Sequence, residues 1–293
     1  MTLEQINDIL SHYSIGSADS FAELPSTTSG NTSYLVSTSD DDYVLRTLVR
    51  QSPEGATAEL RIQQILNKNG VTTPLYIESR DGKVVVSAYE QHFVLSRRIP
   101  GSRQAEDTLR LAQDIGTILA KMHKYLGDLQ LPQNRQQWFN PINAEDQLSR
   151  YVGPDKEFIE AKTHEYSSIL DKHLPLALTH GDLHTNNIFS SDDRVTAVFD
   201  FESAEYTVRI LDIARLYLTY IKVTDLEQQK VIAAILDGYN GEAELPLTHK
   251  EMSELTNAFV YVALVSSVSI YNHGNISSSA QYLEIAKQLI DTH

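Results

Sequence analysis

Apolar and polar positions change period several times along the first hundred residues. Leu3, Ile6, Ile9, Leu10 and Tyr13 recur at helical spacing and predict a short amphipathic helix. Residues 32–37 (TSYLVS) and 43–49 (YVLRTLV) alternate as strands do, with Asp40, Asp41 and Asp42 as the turn between them. Ser52-Pro53 reads as a cap followed by a first helical residue, and Asn69-Gly70 as a stop, so a helix is expected over 53–68. Residues 75–79, 83–88 and 92–96 then read as three strands, with a hairpin turn at Asp81-Gly82. Five strands and one main helix predict a small antiparallel β lobe over residues 1–96. Pro100-Gly101 marks a hinge over 97–103. Beyond it helical periodicity dominates residues 104–293, with helices expected over 109–126, 156–173, 211–223, 226–239, 250–271 and 277–291 and a loop over 136–143. Ile115, Leu119 and Met122 share one face of the first of these helices. The fold class expected is α+β: a small antiparallel β lobe and a larger, mostly α-helical lobe.

Composition narrows the class. The 293 residues suffice for two modest cores, and 41% hydrophobic with 22% charged residues is ordinary for a globular protein. No uninterrupted apolar run approaches the ~18 residues of a membrane helix, and the opening MTLEQINDILSHY lacks the basic start and apolar core of a signal peptide. A cytoplasmic chain with no membrane partner is expected. There is no cysteine, which excludes disulfides, thiolate catalysis and cysteine-bound zinc. The net charge of −15 argues against nucleic acid as a partner, because that binding depends on Lys and Arg neutralising phosphates. Any site for an anionic nucleotide therefore needs local positive charge.

The candidate chemistry is concentrated in residues 179–202, THGDLHTNNIFSSDDRVTAVFDFE. An acid (Asp182), a neutral amide five residues on (Asn187) and a second acid (Asp200) stand in that order, separated by a short turn-and-strand insert. Phosphoryl transfer uses this set: one carboxylate orients the attacking hydroxyl, while an amide oxygen and a second carboxylate hold Mg²⁺. Magnesium prefers oxygen ligands, usually one or two carboxylates plus phosphate oxygens and water. Each short string alone is weak; the order, the spacing and the flanking apolar residues make the signal specific.

The chain resembles the aminoglycoside phosphotransferase and choline kinase superfamily, small-molecule enzymes of protein-kinase-like fold. HGDLHTNN matches that family's HGDLHxxN loop, and VFDFE its metal-binding segment. LDIARL (211–216), IGTILAKMHK (115–124) and FVLSRRIPG (93–101) resemble its later helix start, its preceding helix and its hinge strand. The similarity spans roughly residues 30–220.

It implies a bilobal kinase-like fold, ATP and Mg²⁺ as cofactors, and a small-molecule hydroxyl as acceptor. Asp182 is the expected catalytic residue, and Asn187 and Asp200 the metal ligands. Such a fold needs a cation on the third strand for the nucleotide phosphates, held by a helix carboxylate. Arg46 stands where Lys is usual, with Glu59 as its expected partner and Glu54 second. Ser96, Arg97 and Arg98 are expected to read adenine, and the loop 26–31 to cover phosphates. Glu202, Glu205, Trp138 and Tyr271 are candidates for the acceptor pocket. His180 and His184 read first as structural, and Asp212 as a helix cap tied to the catalytic loop. Aminoglycosides, choline or ethanolamine, homoserine and methylthioribose are all acceptors among such enzymes; the even length and plain loops look more like a homoserine or amine kinase. Two alternatives stand beside this: a catalytically silent nucleotide-binding module, and a protein kinase. Against the second, no APE-like segment follows Asp200, and Asp212 comes too soon for an activation loop.

Overall fold

The structure, a computed structural model, describes residues 1–25, 30–49, 51–104, 106–127, 129–131 and 141–292, the side chains of 141 and 142 excepted. Two compact units emerge. The smaller is built mainly from Met1–Pro100 and Ala197–Glu202, the larger from Gly101–Leu129, residues 141–196 and Ser203–His293.

In the smaller unit, α1 (Leu3–Leu10) starts at a capping box in which Thr2 and Gln5 satisfy each other's backbone amides. Strands β1 (Ala18–Glu23), β2 (Ser33–Thr38), β3 (Asp42–Thr47), β4 (Val86–Ala88) and β5 (Gln91–Arg97) form one antiparallel sheet in the order β1-β2-β3-β5-β4. Helix α2 (Pro53–Lys68) begins, as its Ser-Pro start requires, with Ser52 accepting from the Gly55 amide. Strand period two sorts the side chains. Val36, Tyr43, Leu45, Phe93 and Leu95 pack with Ile6, Ile9, Leu10 and Tyr13 of the α1 segment. On the opposite face Val94 joins Leu48, Ala56, Leu60 and Tyr76. Arg46, one residue from Leu45, therefore lies on the α2 side.

Two details of the sheet differ from expectation. Residues 75–79 form only a single bridge, Tyr76 to Ser96, and the ladder of 83–88 is confined to β4. An edge accepts one neighbour at each position: β4 takes β5 from Gln91 to Phe93, and Tyr76–Ile77 takes it at Leu95–Ser96, where the Ile77 amide donates to the Leu95 carbonyl at 2.7 Å. Asp81-Gly82 does turn the chain, with the Ser79 amide on the Lys83 carbonyl, but the β4–β5 hairpin turns at Tyr89 and Glu90, both at positive φ (51° and 59°). β1 escaped the sequence reading because only Ala18 of ADSFAE is buried, so this edge strand carries little alternation.

The larger unit contains α3 (Leu109–Tyr125), α4 (Pro141–Arg150), α5 (Lys156–Tyr166), β6 (Leu176–Thr179), β7 (Ile188–Ser191), β8 (Arg194–Val198, its last two residues counted with the smaller unit), β9 (Glu205–Val208), α6 (Ile210–Ile221), α7 (Gln228–Glu242), α8 (His249–Ser253), α9 (Leu255–Asn272) and α10 (Ile276–Asp291). Residues 250–271, expected as one helix, are α8 and α9 separated at Glu254; residues 167–171 continue α5 as a 3₁₀ turn. α4 starts at Pro141, where a loop was expected; a proline suits a first helical position. α9 has the length and apolarity to cross a membrane, contrary to the expectation that no stretch would, yet 72% of it is buried inside the protein. α3 and α7 meet through two glycines. A Cβ on Gly116 would stand 2.2 Å from the Ile235 carbonyl oxygen, and one on Gly238 1.9 Å from that of Gln113.

This contact predicts that Gly238→Ala destabilises the protein by about 3 kcal/mol, since the clash is with backbone that has no rotamer to change. Urea unfolding monitored by circular dichroism measures it; an unchanged midpoint would mean the helices separate freely.

Candidate active site

The catalytic-loop residues gather in the larger unit. β6 delivers Thr179, and the chain turns at Gly181 (φ +79°), where a Cβ would lie 2.2 Å from the Ser203 carbonyl oxygen. Both the backbone angle and this contact demand glycine between His180 and Asp182. The loop is held by Asp212, a fully buried residue in the first turn of α6. Its Oδ2 accepts from the His180 amide at 2.7 Å and its Oδ1 from the Gly181 amide at 2.9 Å. His123 Nε2 of α3 reaches Oδ2 at 3.1 Å, and His123 Nδ1 pairs with the Tyr239 hydroxyl of α7 at 2.8 Å. Asp212 thus caps the catalytic loop rather than its own helix.

Asp182 faces Arg215, one turn along α6. Arg215 Nε and Nη2 donate to its Oδ1 at 3.0 and 2.6 Å, and His184 Nε2 stands 3.6 Å from its Oδ2. Burial alone would raise the Asp182 carboxyl pKa, but the charge of Arg215, then that of His184, overcomes it and holds the group well below the usual carboxylate range. Asn187 ends a 3₁₀ turn (Thr185–Asn187) that His184 caps through the Asn186 amide. Its Nδ2 donates to the Asp182 carbonyl at 3.0 Å, which turns its Oδ1 away and leaves that oxygen as a candidate metal donor. The β7–β8 hairpin behind it is fixed to α3, where Asp114 accepts from Arg194 Nη1 and the Val195 amide.

The second group lies in the smaller unit. Arg46 Nη2 bridges Asp200 Oδ1 and Glu202 Oε2, each at 3.0 Å. Glu59, the partner expected from its helical face, is not in that ion pair. It is buried beneath, accepting from Gln51 Nε2 at 2.9 Å, from the Tyr76 hydroxyl and from the Phe201 amide at 3.4 Å. It secures the Asp200-Phe201-Glu202 segment rather than the arginine. Asp200 adopts positive φ (67°), a costly conformation for a non-glycine residue that is found disproportionately at functional sites. Burial, then the charges of Asp200 and Glu59 against the pull of Arg46, raise the Glu202 pKa to about 7. Asn31 Nδ2 also donates to Glu202, at 3.1 Å, and Asn31 Oδ1 accepts from the Val49 amide. Residues 26–29 of the expected phosphate loop lie outside the described residues.

The other candidates are dispersed. Ser96 is buried in β5; the Leu95 carbonyl before it and the Arg98 amide after it are engaged by Ile77 and Asp42 within the sheet. Arg97 and Arg98 are exposed and pair with Asp41 and Asp42. Glu205 is buried in β9, where its charge reaches Tyr261. Tyr271 stacks edge-on against Tyr151, with ring centroids 4.7 Å apart. Trp138 lies outside the described residues. Arg215 went unnoticed in the sequence. Its signal was there: it and Asp212 are the only charged residues in the apolar stretch ILDIARLYLTYI, and their i, i+3 spacing places both on one face.

An antiparallel sheet unit, a helical unit and an HGD loop with a downstream Asp-Phe-Glu define a kinase-like small-molecule phosphotransferase. The chain belongs to the phosphotransferase enzyme family, whose model matches residues 22–250. It is 25% identical over 223 residues to a homoserine kinase of Granulibacter bethesdensis, covering 73% of this chain and 69% of that one. A homoserine kinase of Janthinobacterium sp. is 24% identical over 256 residues, covering 82% and 77%. Among solved structures, an amicoumacin kinase in complex with AMP-PNP, Ca²⁺ and Ami superposes with a TM-score of 0.81 at 18% identity, covering 97% of this chain and 92% of that one. A microcompartment-associated aminopropanol kinase gives 0.70 at 21% identity, covering 99% and 98%. The fold is therefore the kinase-like one that the motifs imply, and the protein is a kinase with an alcohol group as acceptor.

The raised Glu202 pKa carries a sign. Between pH about 4.5 and 7 the unfolded chain releases this proton while the folded protein keeps it, so its contribution to stability falls as pH rises. Metal-free wild type should lose more melting temperature between pH 5 and 8 than Glu202→Gln does. Equal losses in a paired thermal scan would show that Glu202 titrates as it does when unfolded.

Proposed function

We propose that the protein transfers the γ-phosphate of ATP, with Mg²⁺, to the hydroxyl of a small amino alcohol or homoserine-like metabolite, in the cytoplasm. Two observations, each within one unit, support this: in the larger unit an ionised Asp182 on a loop held by Asp212, with the Asn187 amide nitrogen tied to the Asp182 carbonyl; in the smaller unit Asp200 and Glu202 sharing one cation. The residues fit magnesium, which asks for one or two carboxylates and a neutral oxygen and completes its shell with phosphate oxygens and water. The guanidinium now between Asp200 and Glu202 marks the place as one that favours positive charge. When bound, the metal would neutralise charge developing on the phosphates; Asn187 and Asp200 would hold it.

The protein's own groups supply the rest. Asp182 accepts the hydrogen bond of the acceptor hydroxyl and aims its oxygen. Its depressed pKa makes it a weak base, which suits a reaction in which positioning and charge stabilisation dominate and little proton abstraction is needed early. Arg46 contacts the nucleotide phosphates, exchanging part of its hold on Asp200 and Glu202 for them. The relatives named homoserine kinase and the aminopropanol kinase of similar fold support an acceptor with amine and alcohol groups on a short chain.

A panel of L-homoserine, aminopropanol, ethanolamine, choline and kanamycin, assayed for ADP release from Mg·ATP, tests the acceptor class. Asp182→Asn should lose about 10²–10⁴ in kcat with the best acceptor and keep its Mg·ATP affinity, whereas Asp200→Ala should weaken that affinity by calorimetric titration. Equal Mg·ATP affinities in the two variants would remove Asp200 from the metal site. Binding of Mg·ATP without turnover on any acceptor would point to the catalytically silent module.

Arg46→Ala should raise the KM for ATP and lower turnover, because it removes a cation and leaves Asp200 and Glu202 facing the phosphates together. Arg46→Lys should retain activity, with the point charge replacing a fork. Relief of Arg46→Ala by Glu202→Gln should exceed relief by Glu59→Gln, since Glu202 is in the ion pair. Wild-type kinetics in Arg46→Ala would place the phosphate-binding cation elsewhere.

A further inference from the structure

We infer that Arg215 is a positioning residue for the transfer: it closes Oδ1 of Asp182 and so assigns Oδ2 to the acceptor hydroxyl. The inference rests on Asp182 orienting the acceptor, and on the geometry around it. Two Arg215 donors, Nε and Nη2, converge on the single oxygen Oδ1. The guanidinium is anchored from behind, with Nη1 donating to Ser266 Oγ of α9 at 3.0 Å and to the Tyr282 hydroxyl of α10 at 3.3 Å. Three helices therefore set the orientation of one carboxylate. An arginine fork held this way has little rotational freedom, unlike a lysine on a flexible stem.

Oδ2 faces His184, whose ring cannot serve as the proton acceptor in this arrangement. Nδ1 accepts from the Asn186 amide at 3.1 Å, so the neutral ring carries its hydrogen on Nε2, the nitrogen nearest Oδ2. Oδ2 is consequently the carboxylate oxygen left to receive the acceptor hydroxyl. The hydroxyl oxygen forms its bond to the γ-phosphorus. The bond from that phosphorus to the β,γ-bridging oxygen breaks, and its electron pair leaves on ADP. The hydroxyl proton passes to Oδ2 as its oxygen becomes a phosphoester oxygen and turns acidic. Arg215 also gives Asp182 a fixed cation of its own on Oδ1, whereas Asp200 and Glu202 share Arg46, so carboxylates of the same chemical type are held differently.

The test compares Arg215→Ala, Arg215→Lys, Asp182→Asn and Asp182→Asn/Arg215→Ala, using Mg·ATP and whichever panel acceptor gives the highest turnover, or water as acceptor if none does. Arg215→Ala should lose about 10²-fold in kcat, the scale of a misplaced reacting group, with the KM for ATP changed by less than about twofold. Free guanidinium should restore part of that loss, and the double variant should be no slower than Asp182→Asn, because both changes remove one unit. Arg215→Lys should lose about tenfold, charge kept and fork lost, and it decides the matter if the alanine variant does not fold. An inactive Asp182→Asn beside a wild-type kcat in Arg215→Ala, or in Arg215→Lys where only that variant folds, overturns the inference. Multiplicative losses in the double variant do so too. A fully active Asp182→Asn would instead refute the role of Asp182, and is told apart by that single variant.

Discussion

The buried carboxylate of Asp212 is the interaction on which the catalytic loop depends. A fully buried charge costs several kcal/mol unless donors surround it. Here the donors are the amides of His180 and Gly181 and the ring of His123. Satisfying that charge fixes the backbone on the N-terminal side of Asp182, and through His123 and Tyr239 it joins α3, α6 and α7. The same demand explains Gly181: amides that point inward at Asp212 require a turn that no residue with a Cβ could make against Ser203. The HGD signature is in this sense a consequence of burying Asp212 on the helix that follows.

The two acidic groups are tuned in opposite directions by their surroundings. Asp182 has one arginine to itself and is held ionised. Asp200 and Glu202, with Glu59 beneath, share Arg46, so three carboxylates stand near one cation and Glu202 retains a proton toward neutrality. An excess of negative charge around one cation is an arrangement that gains by acquiring another. In a chain of net charge −15, Arg46 is thus the counter-ion of two carboxylates at once.

The sequence by itself determined the elements with strong short-range periodicity and the motifs that mark the family. The opening helix, α2, α3 and the strands around Arg46 follow from patterns spanning fewer than twenty residues. Asp182, Asn187 and Asp200 were legible because their order and spacing are local. What only the tertiary structure decided are pairings between distant positions. Arg46 meets Asp200 across 154 residues, and the expectation of Glu59 as its partner failed because facing inward on a helix does not say which inward group is met. Arg215 meets Asp182 across 33 residues, and only the burial of Asp212 one turn earlier brings α6 to the loop. The edge of β5 was likewise shared by competition between two segments, each strand-like in isolation. Period and propensity act over a few residues, whereas the partner of a charge or a sheet edge is settled by which groups remain unsatisfied once the whole chain has packed.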